Sequence, residues 1–271
     1  MRRFNEVFRE ESGFRAFFGS IITFALSYGL YKGVIDNYLA EAVSMSGFDK
    51  GVSEFFRELP GLMLVFILAA LYTFSAEKIY RIGAVIMMAG MAAQAVVPAS
   101  RVLVIFCIFI YSLGDHIQLG MRNTLSLQYA KEGRGGEALG LQHAVYQIGT
   151  LAGYLVIIGV FFFRESSTGL FRSVFAASAG VIALGFLATL HMTGSSVPDE
   201  TKRRFYFRKK YTKYYMLEVF YGARKQVFFT FGPYVLVLFY GASAMVISIL
   251  FAISSYDFHN SDFSYNLPDT M

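Results

Sequence analysis

The residues able to do chemistry in this chain are polar side chains set inside long apolar stretches. Lys32 and Asp36 stand four apart and so share a helix face, with Tyr28 one turn before and Asn37 adjacent. They read either as a local ion pair near a membrane surface, with the lysine snorkelling, or as part of a polar pathway. Ser112, Asp115, Gln118 and Arg122 recur at three to four residues, a polar stripe on an otherwise apolar helix, with His116 beside it. A carboxylate next to an imidazole is a pair suited in kind to relaying a proton; the alternative is a buried hydrogen-bonded network that fixes helix packing. His143, Gln147, Thr150 and Tyr154 make a second stripe. Glu54, Arg57 and Glu58, just before Leu59-Pro60-Gly61, read first as a solvated helix entrance and second as an external gate. Arg224 and Lys225 interrupt apolar sequence. A helix starting near Tyr211 puts them at membrane depth, as cations for an anionic solute or for Glu218, whereas a helix starting at Val227 makes them flank. Gly232-Pro233 followed by Tyr240-Gly241 favours the first reading.

A charged side chain at the middle of a membrane helix costs roughly 2.5 to 3.5 kcal/mol on insertion scales, so such residues face a cavity or a partner. Lys32, Asp36, Asp115, His116, Gln118, Arg122, His143, Gln147, Arg224 and Lys225 are therefore the candidate substrate or proton pathway. No His-x-x-x-His or Glu-x-x-His repeat supports a metal site, and no cofactor is expected. Without a Ser-His pairing of recognisable spacing or a Gly-rich phosphate loop, an enzyme is not expected either. Cys107 is the single cysteine, which leaves no intramolecular disulfide to form.

The elements that must position these residues are helices. Of the 271 residues, 55% are hydrophobic and 16% charged, with 29 Phe, a balance that water-facing surface could not accommodate. Continuous apolar stretches lie near 16–38, 55–74, 80–98, 102–121, 138–163, 169–192 and 213–236, with a shorter eighth at 238–255. Each is about twice the length of a membrane-crossing strand and lacks strict alternation. The fold class is all-α: a polytopic integral membrane helix bundle. Gly149-Thr150-Leu151-Ala152-Gly153 supplies a small-residue face for close helix packing. The short loop with Gly133 and Gly135 makes the fourth and fifth spans expected neighbours.

Lys and Arg concentrate in alternate gaps. Arg2, Arg3, Arg9 and Arg15 precede the first span; Lys78 and Arg81, then Arg122, Lys131 and Arg134, then the run from Lys202 to Lys225 follow in the even gaps. By the positive-inside rule the amino terminus is expected to be cytoplasmic, in a cytoplasmic (inner or plasma) membrane. This placement accounts for the net charge of +5 without nucleic acid, which is not an expected partner. The three glutamates Glu6, Glu10 and Glu11 and the length of the first span argue against a cleaved leader. Phe4, Val7, Phe8 and Phe14 line one side of a short interfacial helix, or else belong to a frayed end. The expected organisation is a six-helix bundle over 1–192, a basic cytoplasmic linker over 193–212, the start of a second, incomplete bundle over 213–255, and a polar tail over 256–271.

Six helices, a long connection and then more helices resemble the plan of the major facilitator superfamily. The stretch Thr73-Phe74-Ser75-Ala76-Glu77-Lys78-Ile79-Tyr80-Arg81-Ile82-Gly83 is similar to that family's loop between its second and third helices, keeping an acid, two bases and a glycine without the full pattern. The resemblance implies a secondary active transporter of a small solute, anionic or zwitterionic and proton-coupled, working against the lipid bilayer by rocking of two halves. Relative to the family's twelve spans the chain lacks most of the second half. The competing expectation is a truncated, non-transporting fragment or interaction subunit, whose missing half a partner chain completes.

Overall fold

In the computed structural model, the described residues are 2–9, 13–192 and 209–263. Among them the chain is helical, without a strand longer than an isolated bridge. A short α1 (Arg2–Val7) precedes α2 (Phe14–Asn37), which runs on through a π-helical turn at Tyr38–Ala42. There follow α3 (Gly47–Ala70), α4 (Ala76–Val96), α5 (Arg101–Tyr129), α6 (Gly135–Phe163), α7 (Thr168–Leu190), α8 (Thr212–Tyr240) and α9 (Ala244–Phe263).

Among the described residues, five segments are long and apolar enough to cross a membrane by themselves: Phe14–Ala42, Ala76–Val96, Arg101–Tyr129, Gly135–Phe163 and Thr168–Leu190. α3 is of similar length, but its charged first half lowers its hydropathy. The helices start where the sequence supplies a cap. Ser46 and Asp49 form a reciprocal capping box at α3, and Ser75 and Ser167 accept from the third residue of α4 and α7. The Ser46 backbone N–H and hydroxyl, both donating to Asp49 outside the membrane, hold its carboxyl below the usual carboxylate range. α8 runs from Thr212 through Pro233 and ends at Gly241, whose φ of 63° is the left-handed geometry of a C-terminal glycine. The helix thus starts near Tyr211 and not at Val227. The basic stretch 193–208 lies outside the described residues.

α2 is the axis of the bundle, buried along most of its length and packed on α6, α7 and α9. The small-residue face of α6 meets Gly29 there, so closely that a Cβ on Gly153 would stand 2.6 Å from the Leu26 carbonyl oxygen and 2.7 Å from the Gly29 Cα. α4 packs on α5 and α7, and α3 on α5. The fourth and fifth spans are therefore poor neighbours despite their short loop: α5 turns to α4 and α3, whereas α6 turns to α2 and α9.

The amino-terminal residues are folded in rather than lying on an interface or frayed. Val7 and Phe8 are buried, and Phe4, Phe8, Phe14, Phe17 and Phe18 form an aromatic cluster that reaches Tyr129 at the end of α5. Arg9 N–H donates to the Tyr129 carbonyl and Lys131 N–H to that of Val7, tying the amino terminus to the α5–α6 connection.

Arg81, from the stretch noted between the second and third spans, clasps the end of α7. Its guanidinium donates to the Thr189 carbonyl at 2.9 and 3.1 Å and to that of Met192 at 2.6 Å. These oxygens lie where α7 leaves its carbonyls unsatisfied, and the helix dipole favours a cation there. Arg81→Ala is expected to lower stability by about 1.5–3 kcal/mol, the range for hydrogen bonds to a charged group, with little rescue by Arg81→Lys because one ammonium cannot reproduce the fork. Thermal unfolding of both purified variants checks this.

Candidate functional site

Helices α2, α3, α5, α6, α8 and α9 surround a cavity of about 420 Å³. Lys32 from α2, Asp115 from α5, and His143 and Gln147 from α6 are the candidate residues that line it, while Asp36 stands directly behind the wall. Thr150 and Tyr154 continue the α6 stripe along the same wall. Tyr28, Tyr31, Tyr111 and Phe251 give the cavity aromatic surface, and Lys50, Glu54 and Arg57 of α3 give it charge.

The charges form a chain of alternating sign. Lys32 Nζ lies 3.5 Å from Asp36 Oδ2, Asp36 Oδ1 accepts from Lys50 Nζ at 2.7 Å, and Lys50 reaches Glu54 at 2.8 Å. Glu54 accepts from Arg57 at 2.5 Å, and Arg57 reaches Glu58 at 2.5 Å. His116 Nε2 stands 3.9 Å from Glu58 at the far end. Three cations and three carboxylates therefore cancel within one run that fastens α2 to α3 and ends against α5. Lys50 and Asp36 have side-chain exposures of 1% and 0%, which places this pair out of reach of water's screening.

One expectation is extended here and one is corrected. Lys32 and Asp36 are paired, but the shortest bond to Asp36 comes from Lys50 on the next helix. Glu54 and Arg57 are not a solvated entrance: Glu54 is 13% exposed, and both line the cavity. A second span that begins at residue 55 leaves Lys50 outside it. The spacing Lys50, Ser53, Glu54 and Arg57 is itself an inward stripe once the helix starts at Gly47.

The α5 stripe divides among three neighbours. Asp115 faces the cavity, Gln118 is buried and donates to the Tyr80 carbonyl of α4 at 2.7 Å, and the Arg122 guanidinium lies 3.8 Å over the Tyr146 ring of α6. His116 turns towards α3, where its ring occupies the space beside Gly61, while its Nδ1 meets the Ser112 carbonyl at 2.9 Å and hydroxyl at 3.1 Å one turn back on α5. The Ser112 hydroxyl donates to the Arg57 carbonyl. Asp115 and His116 thus look in different directions and share no hydrogen bond. Gln118 and Arg122 hold helices together rather than lining the cavity. The side chains of Arg224 and Lys225 lie outside the described residues.

α8 and α9 close the site from the other side. Tyr234 donates to the Met45 carbonyl at 2.7 Å, and Lys50 Nζ lies 5.4 Å from its ring centroid. Asn37 donates to the Ala242 carbonyl at 2.8 Å, and Ser248 to that of Gly33 at 3.3 Å. Lys32 Nζ sits 5.1 Å from the Phe251 ring centroid. Among the described residues no three His, Cys, Asp or Glu side chains converge in a way that could hold a metal ion. Cys107 is buried.

No protein family and no curated protein sequence matches the chain. Solved structures do match. The crystal structure of the nucleoside transporter NupG superposes with a TM-score of 0.68 at 18% identity, over 94% of this chain and 66% of that one. A point mutant of the same transporter gives a TM-score of 0.70 at 19% identity, over 91% and 65%. The chain spans just under two thirds of these transporters, and at this identity the likeness establishes the fold: an all-α membrane helix bundle arranged as in those proteins.

Proposed function

We propose that the chain is a secondary transporter, built on the major facilitator plan, that binds a small polar solute in the cavity between α2, α3, α5, α6, α8 and α9. One observation carries this reading: a cavity of about 420 Å³, lined by charged, hydroxyl and aromatic side chains, inside a bundle whose outer faces are apolar. That volume falls within the roughly 300–1,000 Å³ of small-molecule sites. A polar enclosure at membrane depth is expensive to build, and a packing bundle has no use for one.

Lys50 and Arg57 are each held by two carboxylates, so the cavity's cations are largely committed and a net anionic solute has little to bind. A neutral or zwitterionic solute fits better. Nucleosides, the substrates named for the two solved neighbours, fit the tyrosine faces by stacking and are the first class to test. In this reading the coupling ion is a proton, exchanged where His116 Nε2 stands 3.9 Å from Glu58 at the end of the charge chain. The lysine and arginine distribution supports a cytoplasmic amino terminus.

The test is uptake of labelled nucleosides, zwitterionic amino acids and small carboxylates into liposomes holding the purified chain, with and without a proton gradient. Saturable, gradient-dependent uptake of a neutral or zwitterionic solute is expected, with the gradient dependence lost in His116→Gln. No uptake by well-folded protein in either orientation overturns the reading and leaves the incomplete-bundle alternative.

A further inference from the structure

Asp115 is the one cavity-lining carboxylate outside the ion-pair chain among the described residues. There its oxygens have no hydrogen-bond donor and no ion-pair partner, although it lines the cavity beside Tyr111 and Tyr28. The two guanidinium groups nearest to it are engaged elsewhere: Arg57 by Glu54 and Glu58, and Arg122 by the Tyr146 ring. A carboxylate that faces a cavity inside the bundle without a counter-charge is costly, and a cation arriving in the cavity removes that cost.

The aromatic surface around it is of the kind that receives such a charge. Tyr31 and Tyr111 pack with ring centroids 4.6 Å apart, and Tyr28 and Tyr146 6.1 Å apart, and Tyr28, Tyr31 and Tyr111 all line the cavity with Asp115. Tyrosine faces carry negative potential and attract ammonium groups. On the α9 side, Lys32 and Phe251 already make this contact, and the tyrosine faces around Asp115 offer the same kind of surface to a cation carried by the solute. Inorganic cations are served less well, because one carboxylate falls short of the six to eight oxygens that a hard ion such as calcium collects.

We infer that Asp115 with Tyr28, Tyr31 and Tyr111 forms a subsite for a protonated amine or quaternary ammonium, so that the solute carried in this cavity bears a positive nitrogen. The inference rests on the transporter reading and narrows its substrate class; a plain nucleoside would leave Asp115 without a counter-charge.

The experiment is a thermal unfolding assay on the purified full chain, titrated with choline chloride against sodium chloride at equal ionic strength. Buried Cys107, the single thiol, reports unfolding through a thiol-reactive dye. Choline is expected to raise the unfolding temperature saturably and sodium to leave it unchanged. Asp115→Asn is expected to weaken the choline response at least tenfold while unfolding no earlier than wild type without choline, because the variant loses an uncompensated charge. Should that variant fail to fold, Tyr111→Phe, which keeps the ring face, and Tyr111→Leu, which removes it, give the same contrast: response retained in the first and lost in the second. The inference is overturned by a wild-type chain that unfolds cooperatively without a choline response, by an equal response to sodium, or by a full response in Asp115→Asn or Tyr111→Leu. Liposome uptake is scored separately: choline binding without any flux removes the transporter reading alone, and nucleoside flux without choline binding removes the ammonium subsite alone.

Discussion

Lys50→Met is expected to destabilise the chain by about 3–5 kcal/mol, and Lys50→Met combined with Asp36→Asn to recover a large part of that loss. The single change leaves Asp36 Oδ1 without the donor it holds at 2.7 Å and Glu54 Oε1 without the one at 2.8 Å, on a carboxylate pair that is 0% and 13% exposed. Lys32 at 3.5 Å and Arg57 at 2.5 Å remain and soften the effect without replacing it. Removing the Asp36 charge as well restores the balance of the chain: Glu54 keeps Arg57, and the amide oxygen that replaces the carboxylate can still accept from Lys32. The opposite single change, Asp36→Asn alone, strands Lys50 on Glu54 and is expected to be the milder lesion. Unfolding temperatures of the three variants check the ordering. If the double variant is no more stable than Lys50→Met, the ion pair is not what fastens α2 to α3.

The same residues show how far the sequence was legible. Period and length gave eight apolar segments, and eight long helices are present among the described residues, because a stretch of some twenty apolar residues has few other ways to satisfy its backbone in lipid. Contacts within one helix were equally readable: the four-residue spacing of Lys32 and Asp36 predicts their pairing, and the spacing of His143, Gln147, Thr150 and Tyr154 predicts the shared face that lines the cavity. Contacts between helices were not. Asp36 and Lys50 are separated by a π-helical turn and a capping box, and no periodicity reports which side of α3 faces α2. The charged entrance assigned to Glu54 and Arg57 followed from counting charges near a helix start. The informative signal is on the opposite side, where Phe48, Phe55, Leu62 and Phe66 form an exposed apolar face that leaves the charged stripe to turn inward. The α5 stripe fails for a related reason: Asp115, Gln118 and Arg122 are close on a helical wheel, but α5 is wedged between α4 and α3, and small rotations about its axis decide which neighbour each one meets.

The α2–α6 crossing rests on an absence of atoms, and filling it is expected to prevent assembly. A Cβ on Gly29 would collide with the Thr150 carbonyl oxygen and lie 3.0 Å from the Gly153 Cα, and one on Gly153 would stand 2.6 Å from the Leu26 carbonyl oxygen. These are backbone atoms on both sides, so no rotamer change relieves the clash, unlike an overpacked side-chain core where about 1–3 kcal/mol suffices. Parting the helices would also pull Thr150 and Tyr154 away from Tyr28 and Lys32 and open the cavity wall that the four residues share. Gly153→Leu should therefore abolish the monodisperse peak in size-exclusion chromatography, and Gly29→Leu likewise. Gly159→Leu, further along the same helix with open space around its missing Cβ, should leave the peak unchanged. The pairing matters because membrane helices gain nothing from hydrophobic burial against each other: lipid is as good a neighbour as leucine, and close approach of small residues supplies the dispersion that holds the bundle. A folded Gly153→Leu protein would mean that α2 and α6 can separate at little cost, and the polar stripe of α6 would then belong to a movable wall rather than to the fixed frame of the cavity.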